Sequence, residues 1–317
     1  MAVLKATQEA IAAAGAALRE GALVAFPTET VYGLGADASD GRAVAAIFAA
    51  KGRPRFNPLI VHVADRDRAE RLGSFTDCGR QLAAAFWPGA LTLVVAKRPR
   101  CQVADLATAG LATVALRVPA HPIAQALLRA TDRPVAAPSA NRSGHVSATS
   151  AAHVMADLGA SVSIILDGGP TPIGLESTVV DTTGPEPLIL RLGGLARENL
   201  ERVLSRPLGL ARGEPGKPAS PGMLTRHYAP ATKLRLDALE VRAGEALLAF
   251  GPTVPEGATA TVNLSPSGDP VEAAANLFCA LRELDAAGAQ AIAVMPIPHA
   301  GLGEAINDRL QRAARSR

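Results

Sequence analysis

Short apolar runs alternate along most of the chain with stretches of helical period, the pattern of strands interleaved with helices. The first apolar run, 22–26, reads as a buried strand. Before it, Thr7 is placed to cap a helix reaching Glu20, with Gly21 as its stop. After it, Ser39 or Asp40 can cap a helix whose apolar face is Val44, Ile47 and Phe48 and which ends at Lys51-Gly52. Strands are predicted over 59–63, 91–96, 113–118, 135–137, 164–166, 177–181 and 188–192. Helices are predicted over 78–87, 121–130, 149–158 and 196–204. The prolines of Arg53-Pro54-Arg55-Phe56-Asn57-Pro58 forbid regular structure between the second helix and the next strand. Such alternation predicts a mixed, twisted open α/β sheet with helices over it.

From 205 to 230 the pattern stops and proline and glycine take over. A connection of that length is either flexible or functional. Beyond it a smaller unit resumes, with strands over 246–250, 260–264 and 291–295 and helices over 271–287 and 302–314. Parallel crossovers of that size predict a small Rossmann-like α/β domain. The division expected is therefore a first domain over 1–205, a Pro/Gly-rich linker or lid over 206–232, and a second domain over 233–317.

Composition narrows the class. The chain of 317 residues is 48% hydrophobic and 19% charged, enough for a packed core. Aromatic residues make up only 3%, which supplies few stacking platforms for single-stranded nucleic acid. The net charge of +3 permits a polyanionic ligand without demanding one. Three scattered cysteines form no C-x-x-C pair, which argues against a disulfide scaffold or zinc ribbon. With no secretory leader and no long apolar run, a cytoplasmic protein without a membrane partner is expected.

Several familiar active sites are missing. No phosphate loop, complete dinucleotide fingerprint, H-E-x-x-H or G-x-S-x-G occurs. What remains is polar clusters at strand exits, where open α/β sheets bind ligands. Pro27-Thr28-Glu29-Thr30-Val31-Tyr32-Gly33-Leu34-Gly35 reads equally as a binding wall or as a Gly-rich turn, with Gly33 and Gly35 serving the turn. Lys51, Arg53 and Asn57 put two cations and an amide on an irregular segment. Ser139-Ala140-Asn141 and Ser147 offer hydroxyls and backbone N–H groups suited to a phosphate. Arg117 is either an outward residue of an alternating strand or a carboxylate clamp. His62 reads as a satisfied core group or a site residue. Arg191 can be a surface cation, and Glu176-Ser177-Thr178 a polar turn. Their recurrence at strand edges is what one sheet can bring together.

Specific motifs then accumulate in order: the 27–35 stretch, Lys51-Gly52-Arg53-Pro54 with Asn57-Pro58-Leu59, Phe86-Trp87-Pro88-Gly89, Arg117-Val118-Pro119, the run 137–144 (Ala-Pro-Ser-Ala-Asn-Arg-Ser-Gly), Asp167-Gly168-Gly169 and the run 176–181 (Glu-Ser-Thr-Val-Val-Asp). This series resembles the YrdC-like family. Ser220-Pro221-Gly222-Met223 with Arg226-His227-Tyr228-Ala229-Pro230 resembles the linker of its two-domain members, and 301–309 the end of their second domain. Departures are small: Ala90 and Ala148 stand where proline is expected, and Leu224-Thr225 varies within the linker motif.

The resemblance implies an activity. L-threonine, bicarbonate or CO2, and ATP would give threonylcarbamoyl-AMP and diphosphate. The product would feed tRNA threonylcarbamoyl transferase proteins that modify adenosine 37. The substrate supplies the nucleophile, which accounts for the missing catalytic one; the protein need only position, desolvate and neutralise charge. By the same resemblance, Thr30, His62, Arg117, the Ala137 backbone and Ser177 would hold threonine. Arg53, Asn57, Thr113, Ser139, Ser147 and Arg191 would hold ATP, with Asn141 supporting that loop and Tyr228 folding over the nucleotide. Lys51 and Arg53 would offset triphosphate charge as the catalytic pair, and Mg2+ would ride on the phosphates. The main rival is an RNA-binding module of the same fold with weak RNA contact and no turnover. A carbamoyl-transferring relative, as in hydrogenase maturation, ranks below it, because no acylphosphatase-like segment or zinc-finger cysteines accompany the domain.

Overall fold

The computed structural model describes residues 2–54, 56–211 and 228–315. Most of the expected linker, including Ser220-Pro221-Gly222-Met223, Arg226 and His227, lies outside the described residues.

In chain order the elements are β1 (Ala2–Lys5), α1 (Gln8–Arg19), β2 (Val24–Phe26), β3 (Gly33–Asp37), α2 (Gly41–Lys51), β4 (Ile60–His62), α3 (Arg66–Leu72), β5 (Gly73–Ser74), α4 (Asp77–Phe86), β6 (Leu91–Lys97), β7 (Thr113–Arg117), α5 (Pro122–Thr131), β8 (Val135–Ala136), α6 (Ala151–Leu158), β9 (Ile164–Asp167), β10 (Thr178–Asp181), β11 (Leu188–Arg191), α7 (Arg197–Leu204) and β12 (Gly209–Leu210). A second series follows: β13 (Lys233–Arg235), β14 (Glu245–Ala249), β15 (Thr261–Asn263), α8 (Pro270–Ala286), β16 (Ala291–Val294) and α9 (Leu302–Ala314).

The helix boundaries follow from local chemistry. The Thr7 hydroxyl accepts from Ala10 N and caps α1. The Asp40 carboxylate accepts from Arg42 N at the start of α2, and Gly52 ends that helix in the left-handed region at φ 60°. α5 and α8 each begin with proline, where the missing N–H costs nothing.

The first sheet runs β1-β9-β2-β3-β8-β4-β7-β6-β10-β11-β12, with β5 on the side of β6. It mixes parallel pairs such as β4/β7 and β6/β10 with antiparallel pairs such as β2/β3 and β6/β7. The second sheet, β13-β16-β14-β15, is parallel throughout. The mixed open sheet and the smaller Rossmann-like unit are both as expected. β12 extends the first sheet into residues expected to belong to the linker.

One expectation at the N-terminal end fails. Gly33 and Gly35 do not make a turn; they belong to β3, antiparallel to β2 with Phe26 opposite Gly33. The turn lies earlier, at 27–32, where the Thr28 hydroxyl accepts from the N–H groups of Thr30 and Val31, both at 3.2 Å. The glycines make room for Phe26: a Cβ on Gly35 would sit 2.9 Å from its ring and 3.0 Å from Val135.

Tyr32, Leu34 and Ile47 belong to the largest apolar core, while Phe26, Leu127 and Leu166 form another. A third joins the two units: Val31, Val146 and Leu175 pack with Leu277, Phe278 and Ile306 of the second. No helix among the described residues is long and apolar enough to cross a membrane.

Candidate active site

The sheet order makes neighbours of the strand ends that carry the polar clusters. His62 stands opposite Arg117 across β4 and β7, and opposite Val135 across β8. Gly33 bridges Ser139, and Arg191 pairs with Val179 just beyond Ser177. The strap 27–32 is stitched to the loop after β8 by Tyr32 N to Ala148 O and Ala140 N to Tyr32 O, each 2.8 Å.

These elements line an open-mouthed cavity holding about 500 Å³ of empty space, the solvent at its mouth included. Its walls include Thr30, His62, Arg117, Ala137 and Ser177, the five residues expected for threonine. They also include Arg53, Ser139 and Arg191 of the set expected for ATP. Lys51, Asn57, Thr113, Asn141, Ser147 and Tyr228 are absent from the walls.

Each lining cation is fixed by the backbone. Arg117 is buried; its Nε donates to Gly89 O at 3.2 Å and its Nη2 to Glu29 Oε1 at 2.7 Å. Burial pushes the Glu29 carboxyl up, but the Arg117 charge and hydrogen bond outweigh it and hold the group below its ordinary range. Glu29 Oε2 is buried with no hydrogen-bond partner among the described residues. Arg191 donates from Nε and Nη2 to Ser177 O, at 3.1 and 2.8 Å, and from Nη2 to Ser177 Oγ at 3.2 Å. Ser177 Oγ also meets Thr92 Oγ1 at 2.7 Å. Arg53 donates to Pro58 O at 3.0 Å. Burial and then the neighbouring Arg191 charge pull its pKa down to about 10. Crowded, desolvated guanidiniums of this kind favour an anionic ligand.

His62 contributes no charge at neutral pH, because burial and Arg117 push its pKa down to about 3. Its ring meets the Phe26 ring edge-on at 6.3 Å. Its Nδ1 is buried without a partner among the described residues, and the same is true of both side-chain polar atoms of Asn57.

Lys51 lies behind the loop after β8. Its ammonium donates to Ser139 O at 2.6 Å and to Asn141 O. Burial and the Arg53 charge hold its pKa well below the ordinary lysine value. Asn141 Nδ2 closes that loop on Arg142 O and His145 O, at 2.8 and 2.9 Å. Thr113 begins β7, pairing with Ala96. Ser147 donates to Glu176 Oε1 at 2.6 Å. Tyr228 is fully buried between the units, stacked on Phe278 at 5.6 Å, with the Arg309 guanidinium 4.8 Å from its ring centre.

Three features escaped the sequence reading. Glu29 holds Arg117, although nothing in the Pro-Thr-Glu-Thr run marks which carboxylate faces inward. Glu176, read as a polar turn, is the acidic residue of the cavity wall among the described residues. Tyr32 accepts from Gly168 N at 3.2 Å and donates to Gly169 O at 2.8 Å, fixing the turn after β9.

Residues 16–193 match the Sua5/YciO/YrdC family profile, described as "Telomere recombination". The chain belongs to this family. Residues 195–315 match a second profile, the C-terminal domain of threonylcarbamoyl-AMP synthase, so it is a two-domain member. It is 43% identical to the threonylcarbamoyl-AMP synthase of Pyrococcus abyssi, over 94% of this chain and 92% of that one. The corresponding figures for the Bacillus subtilis enzyme of the same name are 42%, 97% and 93%. Among solved structures, P. abyssi Sua5 complexed with L-threonine superposes with a TM-score of 0.92 at 38% identity, covering 100% of this chain and 98% of that one.

Proposed function

We propose that this family member is a threonylcarbamoyl-AMP synthase, an ATP-consuming nucleotidyltransferase. The observation that carries the reading is the convergence of Thr30, His62, Arg117, Ala137 and Ser177 on one cavity. Full-length likeness to a threonine-bound relative supports it over an RNA-binding module without turnover.

The chemistry fits a wall of cations without a protein nucleophile. The neutral amine of threonine attacks the carbon of CO2, forming the N–C bond and releasing a proton. A carbamate oxygen then attacks the α-phosphorus of ATP, the α–β bridging P–O bond breaks, and diphosphate leaves with its electron pair. Arg117 orients the threonine carboxylate, and neutral His62 and Thr30 bound the side-chain end. Arg53 and Arg191 offset the charge building on the phosphates, and Lys51 holds the Ser139 loop in shape for them. Asn57, Thr113, Ser147 and Tyr228 serve the nucleotide from the surrounding shell. Magnesium would ride on the ATP phosphates as part of the substrate. The division into 1–205, 206–232 and 233–317 is the working domain scheme, and cytoplasmic tRNA threonylcarbamoyl transferase proteins are the consumers of the product.

Purified chain is expected to release diphosphate from ATP only when threonine and bicarbonate are both present. Release without bicarbonate, or equally with serine, overturns the reading. Arg117→Ala should raise the threonine KM about 10- to 100-fold, the loss of a charge-assisted clamp. An unchanged KM removes Arg117 from that role.

A further inference from the structure

Among the described residues the cavity wall carries three arginines and one carboxylate, Glu176. A negative charge facing a triphosphate opposes its binding unless it is compensated. Both oxygens of Glu176 are engaged, one by the first unit and one by the second. Oε1 accepts from Ser147 Oγ at 2.6 Å, and Oε2 accepts from Arg309 Nε at 3.0 Å.

Arg309 comes from α9, at the far end of the sequence, and is completely buried. Its Nη2 donates to Leu192 O at 2.7 Å and its Nη1 to Asp308 Oδ2 at 2.5 Å. The guanidinium lies against the face of Tyr228. Burial works against its charge, but Tyr228, Glu176 and Asp308 outweigh burial and hold its pKa above the ordinary arginine value. A fixed, permanently charged group from the second unit thus sits directly behind the acidic spot of the first unit's cavity.

We propose that Arg309 is a positioning residue for the nucleotide half of the site: through Glu176 it cancels the negative charge on the cavity wall, so that the second domain sets ATP affinity electrostatically. The inference rests on the ATP reading of this cavity. The competing role is docking of the two domains and nothing more. The two differ in what removing the Glu176 charge does once Arg309 is gone.

The test is calorimetric binding of a non-hydrolysable ATP analogue to the full chain, with threonine binding measured alongside. R309M should weaken the analogue at least tenfold while moving threonine less than threefold. E176Q added to R309M should recover at least fivefold of that loss, because the carboxylate that Arg309 faced is gone. R309K keeps the charge but loses the planar fork and the stacking on Tyr228, so it should weaken the analogue less than R309M does. The proposal is overturned if R309M binds the analogue within twofold of the unsubstituted chain, or if E176Q restores nothing. Equal losses for both ligands in R309M also overturn it, since domain separation moves both. Should R309M fail to melt cooperatively, R309K decides: equal losses of the analogue and of threonine there leave docking as the role. Failure of the unsubstituted chain to bind the analogue would instead sink the ATP reading itself.

Discussion

Arg117 reaches the cavity with its charge already balanced. Glu29 lies 2.7 Å from its guanidinium, and both side chains are nearly excluded from solvent. Removing one partner of a buried pair costs on the order of 3 kcal/mol, because the other charge is left unmatched. Glu29→Gln should therefore lower the stability of the ligand-free protein by about that much. Threonine, which brings a carboxylate of its own, should raise the Tm of the variant by more than it raises that of the unsubstituted protein. An equal or smaller shift would mean that the threonine carboxylate is bound elsewhere. His62 gives a second test at this scale. Its pKa is about 3 in the fold, against an ordinary value of 6.5. Between those values the unfolded chain takes up a proton that the native imidazole refuses, so stability falls as pH drops from 6.5 towards 3 and is unaffected above. The slope from one such group is about 1.4 kcal/mol per pH unit. His153, also pushed down to about 4, contributes in the same direction, so the comparison is with His62→Gln. Denaturant melts between pH 7 and pH 4.5 should show a shallower loss in the variant. Parallel losses would place a charged imidazole in the fold.

At the scale of elements, β2 and β3 decide where the threonine wall stands. Phe26 crosses β3 at its glycines and meets His62 edge-on, so the space over Gly35 reaches the site. Gly35→Ala should cost about 1–3 kcal/mol through overpacking and raise the threonine KM as Phe26 presses on His62. Thermal melts and threonine titrations check both halves, and a KM unchanged despite lost stability would uncouple the hairpin from the site. The same hairpin marks the limit of what was legible beforehand. Long periodic elements such as α8 and α9 could be read to within a residue or two, because an apolar face repeats along them. Gly33–Asp37 could not, since two glycines read as a turn unless Phe26 is known to lie across them. β1 and α3 also escaped: one is a four-residue edge strand, the other a seven-residue helix dominated by charge. Among the residues that line the cavity, Thr30, His62, Arg117 and Ser177 were singled out by resemblance, since type and position alone left each of them open. Glu29, Glu176 and Arg309 were not, because their roles depend on contacts with residues 88, 29 and 133 positions away.

At the scale of the molecule, the second unit is part of the site's frame. Val31, Val146 and Leu175 share its apolar core, and Arg282 of α8 meets Asp157 of α6 at 2.9 Å. A close approach is at Gly174, where φ is +73° and an added Cβ would lie 2.3 Å from Ala274 O and 2.6 Å from the Ala275 backbone. The atoms in the way belong to helix backbone, so no side chain can swing aside. The residue before it, Ile173, donates from N to Glu29 O at 2.9 Å, linking this contact to the strap that carries the Arg117 partner. Gly174→Ala combines left-handed strain with a backbone clash and should cost about 2–4 kcal/mol. Because that cost falls on the seam between the units, calorimetry should resolve one cooperative unfolding into two transitions, and limited proteolysis should cut between the units at a protease level the unsubstituted protein survives. The threonine KM should rise with it, through Ile173 and Glu29. A single transition at unchanged temperature would mean that α8 yields without loss, and the second unit would then be a passenger beside the site instead of part of its frame.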